Sequence, residues 1–467
     1  MHNPHRPLPP AVAGMNTVAM LTATEFLSRV KSNELSVEDY CGACAEVARQ
    51  IEPKVQAWTW FDPEYLVVNA RKADALIRLS LDKRGRAPKS LIGVPVGVKD
   101  IFNTADMPTM HGSAIFANYT PGNDARVVTS LRRHDGIVAG KTTTAEFAVH
   151  TAPNTGNPWD ISRSTGTSSS GSAAAVASCM VPLALSSQTA SSTIRPASYC
   201  GVYGFKPSFG LLPRTAMLKT TDTLDSVAMM ARSVPDLKLL FEALRVRGPN
   251  YPIVERELAR LERCDTNRRA WRVGIVEGPK SHLEHSAVKE GIGRVGRWLQ
   301  SRGVEVEVWR LPADFDRAHD VHRTIYHKAL SYYFKMEWER AGETFSQRLA
   351  DIVVEGRQIS AEDYYAAIAE QTRIAALLDG LLEERFDIVI SASATDEAPT
   401  GLDTPDPMDH SLIWTMCHAP AMTLPLLRGL NDLPLGVQIT ARRFDDYKLL
   451  KFASLLDGFE SNGHANR

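Results

Sequence analysis

The sequence predicts an α/β protein, a single large domain whose central, mostly parallel mixed β-sheet is covered by helices on both faces. Three observations predict it. Short apolar runs of strand length alternate with stretches of helical spacing along the chain. The connections between those runs are long enough for the crossovers that parallel strands require. The 467 residues, 44% apolar and 23% charged, contain no long linker, so one extended core accounts for the chain.

The elements follow in order. "MHNPHRPLPP" opens the chain, and residues 1–18 read as a flexible Pro-rich segment before a domain over 19–460 and a tail over 461–467. In "LSVEDYCGACAEVARQIE", Val37, Cys41, Cys44, Ala48 and Ile51 recur at helical spacing. Ser36 and Asp39 have the spacing of a capping box at its start. The C-x-x-C pair therefore reads as two buried thiols, since no second ligand pair accompanies Cys41 and Cys44. "LIGVPVGVKD" (91–100) is an apolar strand with a charged tip. Asp124 can cap the helix "ARVVTSLRRHDG", Gly136 can end it, and "IVAGKT" (137–142) is the next strand. A helix of small residues starts at about Ser172, and "PLALSSQ" is a short strand after it. "LRVRGPNYPIV" (244–254) marks a seam. Then come a strand at 271–278, a helix at 285–303, a strand at 304–311 and a region, 317–383, that reads as helical throughout. "FDIVISAS", "AMTLPLL" and "LPLGVQIT" supply further strands, and a helix over 444–458 closes the domain.

Several classes are excluded. The formal net charge is -1 and no basic block stands out, which argues against nucleic-acid binding. Six scattered cysteines are not a disulfide framework and fit a reducing, cytoplasmic location. Asn16 and nearby threonines interrupt any secretory core. No apolar run of about 18 residues exists to span a membrane.

The chemistry gathers between Ser162 and Pro207. "SRSTGTSSSGSAAAVASCMVPLALSSQTASSTIRPASYCGVYGFKP" is rich in hydroxyls and has no histidine or acid. Two hydroxyl-rich turns, one holding Ser168 and one holding Ser192, are joined by a helix and a strand, a connection that returns the chain to the same edge of a sheet. Backbone N–H groups of the second turn can form an oxyanion hole. A serine nucleophile needs a base. The G-x-S-x-G elbow of Ser-His-Asp hydrolases fails, because Gly166 is followed by Thr167, Ser168, Ser169 and Ser170. Lys99 is the candidate, at the end of an apolar strand where burial favours the neutral amine.

These segments resemble the amidase signature family, the Ser-cisSer-Lys hydrolases. "GVPVGVKDIFNTADMPTMHGS" resembles its lysine block, "GTSSSGSAAAVA" its Gly/Ser block and "SQTASSTIRPASYCGVYGFKPS" its nucleophile block. "DARVVTSLRRHDGIVAGKTTTAEFA" and "HAPAMTLPLLRGLNDLPLGVQIT" fit later patterns, so the resemblance covers roughly residues 20 to 460. It implies the amidase signature fold and assigns Ser192 as nucleophile, Ser168 as the bridging serine in a cis peptide bond, and Lys99 as base. The implied oxyanion hole is the N–H groups of Thr189, Ala190, Ser191 and Ser192. The implied activity is hydrolysis of a small-molecule amide through an acyl-enzyme, with no metal and no cofactor. A small-molecule amide is then the partner, and a homodimer is the assembly considered. Two alternatives remain: a glutaminase subunit of a tRNA-dependent amidotransferase, and an inactive small-molecule-binding homologue.

The sequence departs from the family pattern at four places. Ser191 replaces a glycine before the nucleophile, Gln188 stands where many members have aspartate, Thr167 replaces a glycine and Thr165 a proline. Arg195, His418 and Tyr326 are candidate substrate contacts. An ion pair for Arg195, a satisfied core histidine at His418 and an amphipathic face for His322, Tyr326 and Tyr332 are the plainer readings.

Overall fold

The computed structural model describes residues 7–82, 85–251, 254–258 and 270–459. Its strands, in chain order, are β1 (Trp58–Phe61), β2 (Pro95–Lys99), β3 (Ile137–Thr142), β4 (Gly156–Asn157), β5 (Asp160–Ser164), β6 (Leu183–Gln188), β7 (Tyr203–Lys206), β8 (Ser226–Ala231), β9 (Arg272–Glu277), β10 (Glu305–Arg310), β11 (Ile388–Ala392), β12 (Ala421–Arg428) and β13 (Pro434–Thr440). Strands β4 and β5 make a small hairpin, and the other eleven form one sheet in the order β1-β3-β2-β6-β8-β7-β12-β13-β11-β9-β10. The α/β class with one large mixed sheet is therefore what this chain forms.

Two parallel blocks lie toward the two ends of the sheet. One is β3-β2-β6 and the other is β11-β9-β10. The antiparallel strands β8, β7, β12 and β13 bridge them. Crossover helices serve the parallel pairs: Arg126–Arg133 lies between β2 and β3, and Ser286–Gln300 between β9 and β10. Strands β2, β3 and β6 are buried at every residue, which explains their unbroken apolar character. One hydrophobic cluster follows the sheet and the N-terminal helices, and a second joins helices Ala318–Tyr333 and Ala361–Arg385 to Trp414.

Local chemistry explains where elements start and stop. The helix Val37–Val55 is capped by Ser36, whose hydroxyl accepts from Asp39 N at 2.9 Å. It stops at Gln56, which is left-handed with φ 52°. Cys41 and Cys44 are buried on it, and burial pushes the Cys44 thiol up to about 12. Within the Pro-rich lead-in, Val12 is buried in the main cluster, while residues 1–6 and the tail lie outside the described residues.

Several expectations change. Asp124 does not cap the helix Arg126–Arg133; its carboxylate accepts from Ala105 N at 2.8 Å and pairs with Arg132 at 3.0 Å. The left-handed residue beyond that helix is Asp135, not Gly136. The region 317–383 holds a short 3-10 helix, Gly342–Thr344, and four α-helices, Ala318–Tyr333, Lys335–Ala341, Gln347–Gln358 and Ala361–Arg385. Ser346 and Ser360 cap the last two with their hydroxyls, so the breaks carry ordinary helix-start signals. The small-residue helix begins at Ser170, two residues before the expected start. Strands β7 and β8, both wholly buried, add to the expected set. Among the described residues no helix is long and apolar enough to cross a membrane.

Candidate active site

Lys99 ends β2, between β3 and β6, and its side chain is fully buried. Its Nζ lies 2.7 Å from Ser168 Oγ, 2.8 Å from Ser187 Oγ and 3.0 Å from Ser169 Oγ. Burial lowers its pKa from 10.5 to about 7, with Asp225 pulling the other way. Ser169 Oγ is 3.2 Å from Ser187 O, so its proton is committed there and toward Lys99 it accepts. A neutral amine has two N–H donors and one lone pair. With Ser169 taking one donor, the lone pair faces the proton of Ser168 or of Ser187, and Ser168 is the nearer.

Two further buried lysines show what is particular to Lys99. Lys141 on β3 pairs with Asp100 at 3.1 Å and donates to Thr109 Oγ1 at 2.6 Å. Lys206 on β7 donates to Ala419 O at 2.6 Å and Pro207 O at 3.2 Å. Burial lowers Lys206 to about 7 as well, yet these two carbonyls have no proton to give it. Lys99 is the one of the three whose hydrogen bonds all run to hydroxyls.

Ser168 is buried, and the peptide bond between Thr167 and Ser168 is cis. The turn that carries it presses against the helix Ile194–Cys200. At Gly166, with φ 76°, a Cβ would meet Pro196 Cα at 3.2 Å. At Gly171 a Cβ would meet Ala57 O at 2.3 Å, so the helix Ser170–Ala177 needs glycine to seat against the sheet. These close approaches bring the two hydroxyl-rich turns together.

The second turn is held from many sides. Gln188 Oε1 accepts from Thr193 N and Ile194 N, both at 3.0 Å, and its Nε2 donates to Thr415 Oγ1 at 2.9 Å. Thr189 Oγ1 donates to Asp225, a carboxylate that also receives bonds from Thr220 and Thr221. Ser191 Oγ donates to Asp409. Among the described residues Ser192 Oγ, half-buried, has no hydrogen-bond partner. The same is true of the N–H groups of Thr189, Ala190, Ser191 and Ser192. The turn thus presents a hydroxyl and four unpaired donors.

The other sequence candidates fall in distinct places. Arg195 is turned to carboxylates of its own chain: 2.7 Å to Asp406, 2.6 Å to Asp409, and 3.0 Å to Pro407 O. His418 has φ 62°, lies 2.7 Å from Thr223 O and stacks on Phe209 at 4.2 Å. It is half-buried, and burial lowers it to about 4 while Thr223 O engages its Nε2. Tyr326 is buried beside His322, ring centroids 5.6 Å apart. Sequence reasoning missed Ser169, Ser187, Asp225, Asp409 and Thr415. Ser187 had a signal, a second hydroxyl closing the buried run "PLALSSQ", and so did Ser169, the neighbour of Ser168; Asp225, Asp409 and Thr415 come from distant loops and helices.

A buried lysine without a carboxylate partner among the described residues, wrapped in serine hydroxyls, thus lies beside a turn with unpaired N–H groups. The Amidase family matches residues 37–450, and the chain belongs to that family as an amide-hydrolysing enzyme. It is 28% identical to the A-type subunit of glutamyl-tRNA(Gln) amidotransferase from Sulfurihydrogenibium sp. (strain YO3AOP1), over 93% of this chain and 96% of the relative. It is 30% identical to a protein of the same name from Clostridium novyi (strain NT), over 75% of this chain and 70% of the relative. The solved peptide amidase from Stenotrophomonas maltophilia superposes with a TM-score of 0.79 at 22% identity, over 93% of this chain and 96% of that one, a likeness of fold.

Proposed function

We propose that this chain cleaves a carboxamide through an acyl-enzyme on Ser192. The observation that carries the reading is the surroundings of Lys99, a buried lysine with a pKa lowered to about 7 whose partners are hydroxyls. Ser192 attacks the carbonyl carbon, and its proton passes by way of Ser168 toward Lys99. The N–H groups of Thr189, Ala190, Ser191 and Ser192 are the donors available to the oxyanion. The proton held on the lysine side returns through Ser168 to the leaving nitrogen, which is what a poor amine leaving group requires. Water then attacks the acyl-serine and restores the enzyme. A fluorophosphonate should add to Ser192, located by peptide mass spectrometry, and Ser192→Ala should lose both adduct and amide hydrolysis while keeping its fold. An adduct on Ser191 would move the alignment by one residue and defeat the assignment.

Two substrates fit this chemistry. The curated relatives support glutamine as the amide, with ammonia passed on within an amidotransferase of which this chain is one component. The nucleophile turn supports a self-sufficient amidase acting on a small molecule, because Ser191 and Gln188 give it side-chain anchors that a two-glycine turn lacks. Of the two, the sequence comparisons weigh toward the first. Purified chain assayed with glutamine and with a panel of small amides separates them. Turnover of a small amide at full rate by the lone chain excludes the amidotransferase reading, and glutaminase activity that appears only with added partner proteins excludes the other.

A further inference from the structure

Three consecutive peptide groups of the nucleophile turn are gripped at their oxygen ends. Thr189 O accepts from His322 Nε2 at 2.9 Å, Ala190 O from Thr415 Oγ1 at 2.7 Å, and Ser191 O from Arg195 N at 3.0 Å. These peptide bonds are trans. A trans peptide is a rigid plane in which C=O and N–H point in opposite directions. A bond that fixes the oxygen therefore fixes the heading of the N–H across the plane. The N–H groups opposite those three oxygens belong to Ala190, Ser191 and Ser192, each without an acceptor among the described residues.

The third grip is the first turn of the helix Ile194–Cys200. The first two come from elsewhere in the chain: His322 projects from the helix Ala318–Tyr333 and Thr415 from the helix Ser411–Met416. We infer that His322 and Thr415 are positioning residues of the oxyanion hole, aiming the N–H groups of Ala190 and Ser191 through the carbonyls of Thr189 and Ala190. The inference rests on Ser192 being the nucleophile.

The side chains suit that task. His322 is buried, and burial holds it neutral with a pKa lowered to about 4, so it has a single N–H, which points from Nε2 to Thr189 O. Thr415 Oγ1 accepts from Gln188 Nε2 at 2.9 Å, which turns its proton toward carbonyls, Ala190 O at 2.7 Å and Ser411 O at 3.0 Å. A helix face packed only for apolar burial has no reason to commit a buried imidazole N–H to a carbonyl of the nucleophile turn, whereas loss of a buried donor leaves that carbonyl free to swing.

The test uses His322→Phe, which removes the donor and keeps a ring, His322→Gln, which keeps an N–H, and Thr415→Val. Removing an oxyanion donor outright costs about a hundredfold to a thousandfold in kcat, so misaiming one predicts a loss of about tenfold to a hundredfold in the Phe and Val variants. The loss should fall on kcat with KM nearly unchanged. The pH profile should keep its midpoint, and His322→Gln should recover part of the rate. Binding of an aldehyde transition-state mimic should weaken in step with kcat/KM. Folded Phe and Val variants with wild-type kcat would overturn the inference, and so would a displaced pH midpoint, which would make His322 a proton carrier. Should the Phe variant not fold, Thr415→Val and His322→Gln carry the same readouts. Ser192→Ala is run beside them: if it stays active, the nucleophile assignment fails first, whereas a dead Ser192→Ala with unimpaired His322 and Thr415 variants removes only this inference.

Discussion

Replacing Lys99 by methionine separates what the buried lysine does for catalysis from what it costs the fold. Lys99 is lowered from 10.5 to about 7 by burial. At about 1.4 kcal/mol per pH unit, the fold disfavours its charged form by about 5 kcal/mol. The sign follows from proton counting. Well below pH 7 both folded and unfolded chains hold the proton, and the fold bears the whole cost. Between pH 7 and the ordinary lysine value the unfolded chain binds more protons, so stability rises with pH. Lys99→Met lifts that cost but strands three hydroxyls that had an N–H partner, at about 1 kcal/mol each. The variant is thus expected to be more stable than wild type by about 2 kcal/mol near pH 6, an advantage that shrinks by about 3 kcal/mol on going to about pH 9. Lys206, also lowered to about 7, shapes both curves equally and cancels in the difference. Denaturant unfolding at a series of pH values measures the gap. Beside it, kcat/KM of the wild type should rise with pH through about 7 as Lys99 loses its proton, and the variant should be inactive at every pH. An active methionine variant, or a stability gap that does not change with pH, would refute the assignment of Lys99 as a buried neutral base.

Other outcomes are equally concrete. Ser168→Ala should lower kcat by about a thousandfold yet leave slow acylation of Ser192, because the oxyanion donors remain; burst kinetics with an activated ester measure it, and an unchanged kcat would reduce Ser168 to a turn residue. Asp409→Ala leaves Arg195 with Asp406 alone and frees Ser191 Oγ, which should cost about 3 kcal/mol in denaturant unfolding together with a lower kcat; a variant as stable as wild type would mean that Asp406 alone satisfies Arg195.

The parts of the site that are legible in the sequence are those whose chemistry is written locally. Lys99 closes an apolar strand, and Ser168 and Ser192 each lie in a hydroxyl-rich turn next to a helix start. The lysine meets Ser168 across 69 residues because β2 and β6 are parallel neighbours and Ser168 stands just before the helix that leads into β6, a parallel arrangement that sequence reasoning can apply. The residues that grip the turn have no such rule. His322 reaches Thr189 across 133 residues, Asp409 reaches Ser191 across 218 and Thr415 reaches Ala190 across 225. Each stands in a stretch whose local pattern says only helix face or polar loop. Fold shows the same division. The parallel block β3-β2-β6 is readable from its apolar runs, whereas β7, the four residues "YGFK", is too short and too glycine-bound to stand out. Asp124 has the sequence of a cap and loses that role to Ala105 N, outside the helix, and to Arg132 in the helix's last turn.

The two departures nearest the nucleophile gain a common explanation from these partners. A glycine before the catalytic serine would leave the turn's shape to its own backbone. Here Ser191 is not among the residues with positive φ, so its side chain meets no steric penalty of the left-handed region. Its hydroxyl instead ties the turn to Asp409, whose carboxylate also receives Ser411 N at 3.0 Å and the Arg195 guanidinium at 2.6 Å. Gln188 does what an aspartate there could not. Its oxygen accepts from Thr193 N and Ile194 N, as a carboxylate would, and its amide N–H donates to Thr415, the residue that holds Ala190 O. An ionised aspartate at that position has no proton to give Thr415. With the amide in place, the added hydroxyl and the lost carboxylate are complementary: the turn exchanges backbone freedom for anchors on both of its sides. Ser191→Gly alone should therefore loosen the hole, because it removes the tie to Asp409 and leaves a freer backbone to be held by the bonds to Ala190 O and Ser191 O alone. Its kcat should fall while fluorophosphonate still labels Ser192, and a glycine variant with wild-type kcat would show that the Gln188 side of the turn holds it unaided.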